Sequence, residues 1–546
     1  MKKRILSLLL VLLMALSLVA CAGGETPAET DAKTSSQSSV KDSAEDPSAD
    51  SSVTEDSDLP SDSSVPSDSD LPEDGSDSDV SSEKPDGSDV IVDYGPSDFV
   101  PPEPPYGEMA GKEYTVIQHE VIGDPFGYGQ DTREAQLVQD RIDEVQSKYG
   151  CSIYFTEMAY SDQFATEIQG LQFAESGGDL IFSTNNAQLR KTVGTGPSDS
   201  MMVDLLTVDD IINFWDFNKW GNITSRETMM SGGVFYGVTP ALWYNRTPLP
   251  YYNLVYNKTL LEQFDLDDPQ ELWEQESWDR DAMLELVTSC YDEAGSVPVW
   301  GMTASMMHMV RAAYLSSGVS AVEIGKIYAN GSVDWTHGMA SDEAVESLQW
   351  LKNSLTAYAK YFNNGKANWA NWSAHEPFLE GQTLFALTAP SVVLNHISVQ
   401  HDNFGLITWA GVDANAMTGF YENCCSVSVP IFAQDAKHSA YLMYDLFKGL
   451  GEIETASDMV KHYRDTYFTS DLDVKFLLMN GAKLNYSYWP NGGDEALKRV
   501  SADLLTSSSL RTLVDKSVPV DTATVETYLV PNTVQLEIYR QNGLIP

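Results

Sequence analysis

Three short segments of the 546-residue chain set flat aromatic rings beside amides or a carboxylate: Trp243-Tyr244-Asn245, Trp369-Ala370-Asn371-Trp372 and Tyr421-Glu422. Asp124 and Tyr128, in the stretch GDPFGYGQ, and the pair Asn185-Asn186 supply the same residue types elsewhere. Such sets suit a ligand with an apolar C–H face and a rim of hydroxyls, as a pyranose has. Rings stack on the face, and amides and carboxylates take the hydroxyls. Packing in a core or plain surface is the competing role for each of these residues taken singly.

Other chemistries find less support. GDPFGYGQ is glycine-rich, but it lacks the Lys-Ser/Thr of a P-loop and the spacing of a dinucleotide fingerprint. No GxSxG or HExxH occurs. A pair of carboxylates about 5–10 Å apart would serve a glycoside hydrolase. Glu157, Asp179, Glu376 and Glu380 leave that open at this level, although the chain reads as a non-enzyme. The four cysteines beyond Cys21 (Cys151, Cys290, Cys424, Cys425) form no CxxC pair and no metal spacing. Neither a metal site nor a cofactor is expected, and both buried thiols and disulfides remain open.

The elements that must position these residues follow from periodicity. Glu113–Ile117 is a β-rich run. Asp131-Thr132 can then cap a helix with Val138, Ile142, Val145 and Tyr149 on one face, which Gly150 ends. Ser152–Phe155 is a second strand. A helix carrying Phe164, Ile168 and Leu171 leads past Gly177-Gly178 to a third strand, Asp179–Ser183. Strand–helix–strand–helix–strand predicts a parallel sheet with right-handed crossovers, in which ligands lie beyond the carboxyl ends of strands. That nominates the loops His119–Gln130 and Thr184–Ala187.

Downstream, Leu254–Lys258 reads as a strand. Ser277 can cap a helix with Met283, Leu286, Val287 and Cys290 on one face. Trp300–Thr303 is a strand, Asp342–Tyr361 a long helix, and Phe378–Leu387 a helix end with a glycine stop leading into a strand. Asn403–Trp409 and Cys424–Pro430 are β-rich, and Ala436–Leu450 is an amphipathic helix with Ala440, Met443, Phe447 and Leu450 on its apolar face. The aromatic cluster Phe214–Trp220 reads as packing.

The formal net charge of -47 argues against nucleic-acid binding and against charge-driven docking on anionic membranes. Residues 22–110 carry about 24 acids against about 3 lysines. Almost free of large apolar residues, that stretch cannot bury enough surface to offset its ordering entropy and is expected to be disordered, with a span beyond roughly 50 Å. Before it, a basic tip (Lys2, Lys3, Arg4), an apolar run and Leu18-Val19-Ala20-Cys21 have the layout of an export signal. The last four residues resemble a bacterial lipobox, which implies lipidation of Cys21 and a membrane link through that anchor alone.

Taken together, Leu254-Val255-Tyr256-Asn257-Lys258, Asp267-Asp268-Pro269, Trp278-Asp279, Phe378-Leu379-Glu380-Gly381-Gln382 and Asn403-Phe404-Gly405-Leu406-Ile407 resemble, in type and order, the extracellular solute-binding proteins of ABC importers. The resemblance is to the family 1-like carbohydrate binders in their Gram-positive lipoprotein form. It covers 113 to about 450 and implies an α/β, two-lobe, periplasmic-binding-protein-like (type II) fold with hinge crossings, preceded by the disordered tether. Its implied divisions are a signal peptide at 1–20 and a tether at 21–111. Lobe one takes 112–250 with 425–455, and lobe two takes 251–424 with 456–546. The crossings fall near Pro250–Leu254 and Asn423–Val427.

The family closes by a hinge around its ligand. It implies a monomer outside the cytoplasmic membrane that hands a small solute, a sugar or oligosaccharide, to ABC permease subunits. The alternatives within reach of the sequence are a surface-anchored glycan-active enzyme and an adhesion or sensory lipoprotein. Where carbohydrate members run on to Gly-Pro-Trp, this chain has Thr388-Ala389-Pro390-Ser391. The stacking indole is absent there, and Ser391 stands as the candidate.

Overall fold

The computed structural model describes residues 99–120, 132–159, 163–173, 177–183, 189–194, 198–221, 229–243, 253–295, 297–319, 322–328, 332–363, 375–400, 403–412, 425–479 and 495–541. All belong to one compact unit, 81–546. The expected signal segment, Cys21 and the acidic tether up to residue 98 lie outside the described residues, but 99–111, read as the end of the disordered tether, is packed on the fold: Phe99 meets Tyr444 and Met109 is 0 % exposed.

In chain order the strands are β1 (Glu113–Glu120), β2 (Ser152–Ala159), β3 (Leu180–Ser183), β4 (Met230–Ser231), β5 (Val234–Phe235), β6 (Asn253–Asn257), β7 (Trp300–Thr303), β8 (Val322–Ile327), β9 (Val333–His337), β10 (Thr383–Thr388), β11 (Phe404–Thr408) and β12 (Ser426–Ser428). They make two four-stranded sheets, β12-β3-β1-β2 and β11-β6-β10-β7, and two hairpins, β4–β5 and β8–β9.

In the first sheet β1 runs parallel to both β2 and β3, as the strand–helix alternation predicts, and β12 adds antiparallel to β3. The helix between β1 and β2 spans Arg133–Tyr149. Thr132 caps it by accepting from Ala135 N, and Gly150 ends it in the left-handed conformation at φ 64°. Its apolar stripe, Val138, Ile142, Val145 and Tyr149, is buried. Helix Ala436–Leu446 also packs in this lobe, and Phe447 just past its end stacks on Phe182 of β3 at 5.8 Å. That helix stops four residues before the predicted end at Leu450. Even so, Ala440, Met443, Phe447 and Leu450 are all buried. Phe214 and Trp220 of the aromatic cluster are fully buried as well.

The second sheet explains the motifs that carried the family resemblance, and it makes them scaffold. Tyr256 of β6 faces Gly405 of β11 in the antiparallel register, and a Cβ at 405 would lie 2.2 Å from the ring. Glycine is therefore required wherever this tyrosine is present. The Tyr256 hydroxyl donates to Asp268 at 2.8 Å. Asp268 caps helix Pro269–Glu274 with proline at its first position, and Asn257 caps helix Lys258–Phe264 by accepting from Leu260 N. Trp278, 1 % exposed, donates its indole N–H to Thr408 O at the end of β11.

Asp279, not the predicted Ser277, caps the next helix, Arg280–Ser289, by accepting from Asp281 N and Ala282 N. Ser277 instead donates its hydroxyl to Leu272 O. The aspartate wins because its carboxylate reaches two of the helix's orphan N–H groups. The helix predicted for Asp342–Tyr361 ends at Ala357 and continues as a 3₁₀ turn, Ala359–Tyr361. Cys151 and Cys290 are buried free thiols, and burial pushes Cys290 up to about 12. Cys425 is also free, and Cys424 lies outside the described residues.

His337, at the end of β9, gives the second lobe a titratable weak point. Its Nδ1 accepts from Met339 N at 3.3 Å, capping a short 3₁₀ turn, and burial lowers its pKa to about 4. The unfolded chain therefore binds a proton below pH about 6.5 that the folded chain refuses until pH about 4, so stability falls as pH drops through that window. At pH 5 the penalty is on the order of 2 kcal/mol. His337→Asn keeps a capping acceptor and removes the titration. Urea unfolding at pH 7 and pH 5 should show a smaller loss for the variant than for the parent chain. Equal losses would remove His337 from the pH response.

Candidate functional site

The register of each sheet gathers hydrogen-bonding side chains at its carboxyl end. In the first sheet His119 of β1 pairs with Ser183 of β3, and Ser183 with Ser426 of β12. Val238 bridges Val427 antiparallel, which sets Thr239 beside Ser426. His119, Ser183, Ser426 and Thr239 are each 0 % exposed and form one row across the sheet. His119 Nδ1 lies 2.9 Å from Ser183 Oγ, and its ring stacks on Phe164 at 4.0 Å. Burial holds the imidazole at about 4, neutral at physiological pH. The hydroxyls of Ser426 and Thr239 have no protein partner among the described residues, so the row ends in donors with unused capacity there.

The second sheet repeats the pattern. Asn253 opens β6 and pairs with Thr388, the last residue of β10, and with Thr408, the last of β11. All three are buried. Because β7 runs parallel to β10, Ser305 follows at the same end, where it caps helix Met306–Leu315. Both rows are uncharged.

Chain continuity ties the rows to each other. Residues 244–252 connect Trp243, close after Thr239, with Asn253. Residues 409–425 connect Thr408 with Ser426. Each passage between the sheets thus leaves one polar row and enters the other.

The sequence-predicted candidates adjoin these strands in the chain. Asp124 and Tyr128 follow β1, Asn185 and Asn186 follow β3, Tyr244 and Asn245 precede β6, and Tyr421 and Glu422 precede β12. Trp369, Asn371 and Trp372 follow Phe362, whose bridge to Met302 runs parallel to β7. These eleven residues lie outside the described residues. Ser391 sits in the short helix Pro390–Val392 directly beyond β10, and its side chain lies outside them too.

Trp243 is the one predicted site side chain that the structure describes, and it is corrected. Its indole is 1 % exposed, donates to Lys448 O at 2.9 Å and packs on Phe447 at 4.9 Å. A ring closed on both faces is no stacking platform. It joins the donors that satisfy the end of helix Ala436–Leu446: Lys219 Nζ on Tyr444 O at 2.6 Å, and Arg141 on Asp445 O and Gly449 O. Trp243 fixes the first-lobe root of the crossing.

Asp179, weighed as a catalytic carboxylate, lies just before β3, at the opposite end from the polar row. It accepts from Thr115 N at 2.8 Å and Gln434 N at 3.2 Å. Burial raises its pKa in spite of those bonds. Its role is to brace the sheet.

The rows themselves escaped the sequence reading. Their signal was a polar residue closing an apolar strand, as in VIQH, IFS, ALT and LIT, but only the register shows that those residues meet.

No protein-family model matches the chain, and no curated protein matches it. Solved structures do. The extracellular solute-binding protein from Staphylococcus aureus in complex with maltose matches with a TM-score of 0.53 at 13 % identity, over 76 % of this chain and 98 % of that one. A cyclo/maltodextrin-binding protein complexed with maltotetraose matches at 0.52 and 13 %, over 76 % and 97 %. The cyclic alpha-maltosyl-1,6-maltose binding protein from Arthrobacter globiformis matches at 0.51 and 14 %, over 75 % and 98 %. The chain has the two-lobe fold of these solute-binding proteins.

Proposed function

We propose that this chain is a non-catalytic receptor that captures a small neutral carbohydrate, a sugar or oligosaccharide, between its lobes and delivers it to the permease of an ABC importer. One observation carries the reading: both sheets end in a row of uncharged polar side chains, hydroxyls and an amide with the neutral His119 imidazole, and the two chain passages between the sheets run from one row to the other. Uncharged donors and acceptors match a polyhydroxylated ligand and leave no buried ion to be paired. The three similar structures are named as binding proteins, two of them in complex with maltose or maltotetraose, which supports both the absence of catalysis and the ligand class. Aromatic faces would come from Trp369, Trp372 and Tyr421. Asp124, Tyr128, Asn185, Asn186, Tyr244, Asn245, Asn371, Ser391 and Glu422 supply the polar rim. The lipobox-like segment supports lipidation of Cys21, hence a chain held outside the cytoplasmic membrane by its anchor, and we take it to act as a monomer.

A closing cleft binds the folded state alone, so ligand at a hundred times Kd adds about 2.7 kcal/mol of stability, several degrees in Tm. Melting with maltose, maltotetraose and cyclic maltodextrins, beside amino acids and di- and tripeptides, is expected to show a shift with at least one sugar and no turnover of it. A shift with charged peptides alone, or release of cleaved sugar, would overturn the reading.

A further inference from the structure

The last helix, Val530–Gln541, is rooted in the second lobe and gripped by the first. At its root a π-helical turn, Val525–Leu529, continues directly into it. Val525 N donates to Asp521 O, and the Asp521 carboxylate accepts from Ala496 N, tying the root to helix Glu495–Asp503. Val525, Leu529 and Val530 pack with Val322, Ile324 and Trp335 of the β8–β9 hairpin. Arg511, on neighbouring helix Leu510–Ser517, donates to Ala340 O just beyond that hairpin.

Further along, the helix also contacts the other lobe. Asn532, 2 % exposed, donates its side-chain amide to Met230 O at 2.8 Å. Two turns further on, Tyr539 stacks on Phe235 with ring centroids 6.0 Å apart and planes at 24°. Met230 and Phe235 are paired residues of the β4–β5 hairpin. That hairpin is part of the first lobe: Phe235 packs on Phe214 and Trp215, and its N–H bonds Asp204. The adjoining Val238 extends the first sheet through its bridge to β12.

From this juxtaposition we infer that the C-terminal helix is a strap between the lobes, made and broken as they close and open. The lobes have three covalent passages: 244–252, 409–425 and the return from helix Ala436–Leu446 to helix Asp471–Met479, whose Asp473 accepts from Leu406 N in the second sheet. The helix adds a fourth link, one that is covalent to the second lobe only. One hydrogen bond and one ring pair, with Leu536 buried between them, are enough to bias a two-state equilibrium. The π-turn at the root breaks the regular ladder where the helix would have to swing, the place at which such turns recur in working proteins. While Asn532 and Tyr539 hold β4–β5, the described arrangement is favoured. Releasing them frees the lobes to part by hinge motion.

The test needs no ligand, so it stands or falls apart from the carbohydrate reading. Nitroxide labels go on Ser147→Cys and Glu343→Cys, exposed positions on the first and second lobes, with Cys21, Cys424 and Cys425 replaced by serine and the buried Cys151 and Cys290 left in place. Pulsed electron-electron resonance then reads the distance between lobes. Asn532→Ala with Tyr539→Ala is expected to raise the ratio of the longer to the shorter distance about tenfold, the equivalent of two contacts worth about 1.4 kcal/mol together. The same distribution in parent and variant, both folded by circular dichroism, would overturn the strap. Should the double variant not fold, Tyr539→Leu, which keeps the apolar bulk, replaces it and is judged by the same two outcomes.

Discussion

Asp445→Ala is expected to lower the unfolding free energy by about 3–5 kcal/mol, the cost of breaking a buried charge cluster from one side. Asp445 is 3 % exposed near the end of helix Ala436–Leu446. Its Oδ2 accepts from Lys148 Nζ at 2.6 Å and from the Tyr149 hydroxyl, and Lys448 Nζ lies 2.6 Å from Oδ1. Burial alone would raise the carboxyl. Bonds from Lys148, Lys448 and Tyr149 win and hold it below the usual carboxylate range.

The effect should sit toward the lower end for the surface partners, since the Lys148 and Lys448 side chains keep 36 % and 42 % of their exposure and can turn to water. Two groups cannot turn. The Tyr149 hydroxyl would lose its acceptor in the interior. Lys219 would lose a compensating charge; burial already pulls its pKa well below normal, with Lys448 adding to the pull and Asp445 opposing it. Because the Asp445 pKa is depressed in the fold, its contribution is present above the unfolded value of about 3.9 and lost as pH falls through the folded value. Urea midpoints at pH 7 with linear extrapolation measure the difference. A loss below about 1 kcal/mol would show that the cluster gives the helix end no more than a surface pair does.

Trp243→Ala should cost about 3–5 kcal/mol as well, through a different cause: a cavity where the indole met Phe447, and a carbonyl at Lys448 left without its donor. Trp243→Phe keeps most of the ring packing and should lose about 1–2 kcal/mol, chiefly the bond. In either variant, folded protein should bind the responding sugar of the melting screen with its parental affinity. Unchanged stability together with weakened sugar binding would return Trp243 to the cleft, where its neighbours Tyr244 and Asn245 first suggested it belonged.

That reversal shows where sequence reading reaches and where it stops. Helix Arg133–Tyr149 was legible to the residue pattern because one cap, one stripe and one left-handed glycine act locally. The parallel pairing of β1 with β2 and β3 followed from the length of the helices between them. Side-chain fate is not local. Trp243 lies next to Tyr244 and Asn245 in the chain, but its surroundings are set by Phe447 and Lys448, two hundred residues on.

The polar rows were illegible for the same reason. His119, Ser183, Ser426 and Thr239 come from four separate segments, and a slip of one residue in any register would turn its member to the other face. The β8–β9 hairpin went unread because its alternation is short: after Val322 and Ile324, Lys326 takes the next apolar position, where the register shifts before Ile327. The strap was beyond reach altogether, since nothing in the final helix announces that Asn532 meets Met230.

The placement of β12 also has a bearing on how the chain comes to be made. β3 can pair β1 as soon as residue 183 is available, but its other edge waits for Ser426–Ser428. Until then the first lobe exposes a row of unpaired backbone groups, while the whole second sheet, β6 to β11, is still being delivered. A chain that emerges amino end first must therefore finish its second lobe's strands before its first lobe has a complete sheet. The late arrival of one three-residue strand makes maturation of the amino-terminal half depend on completion of the middle.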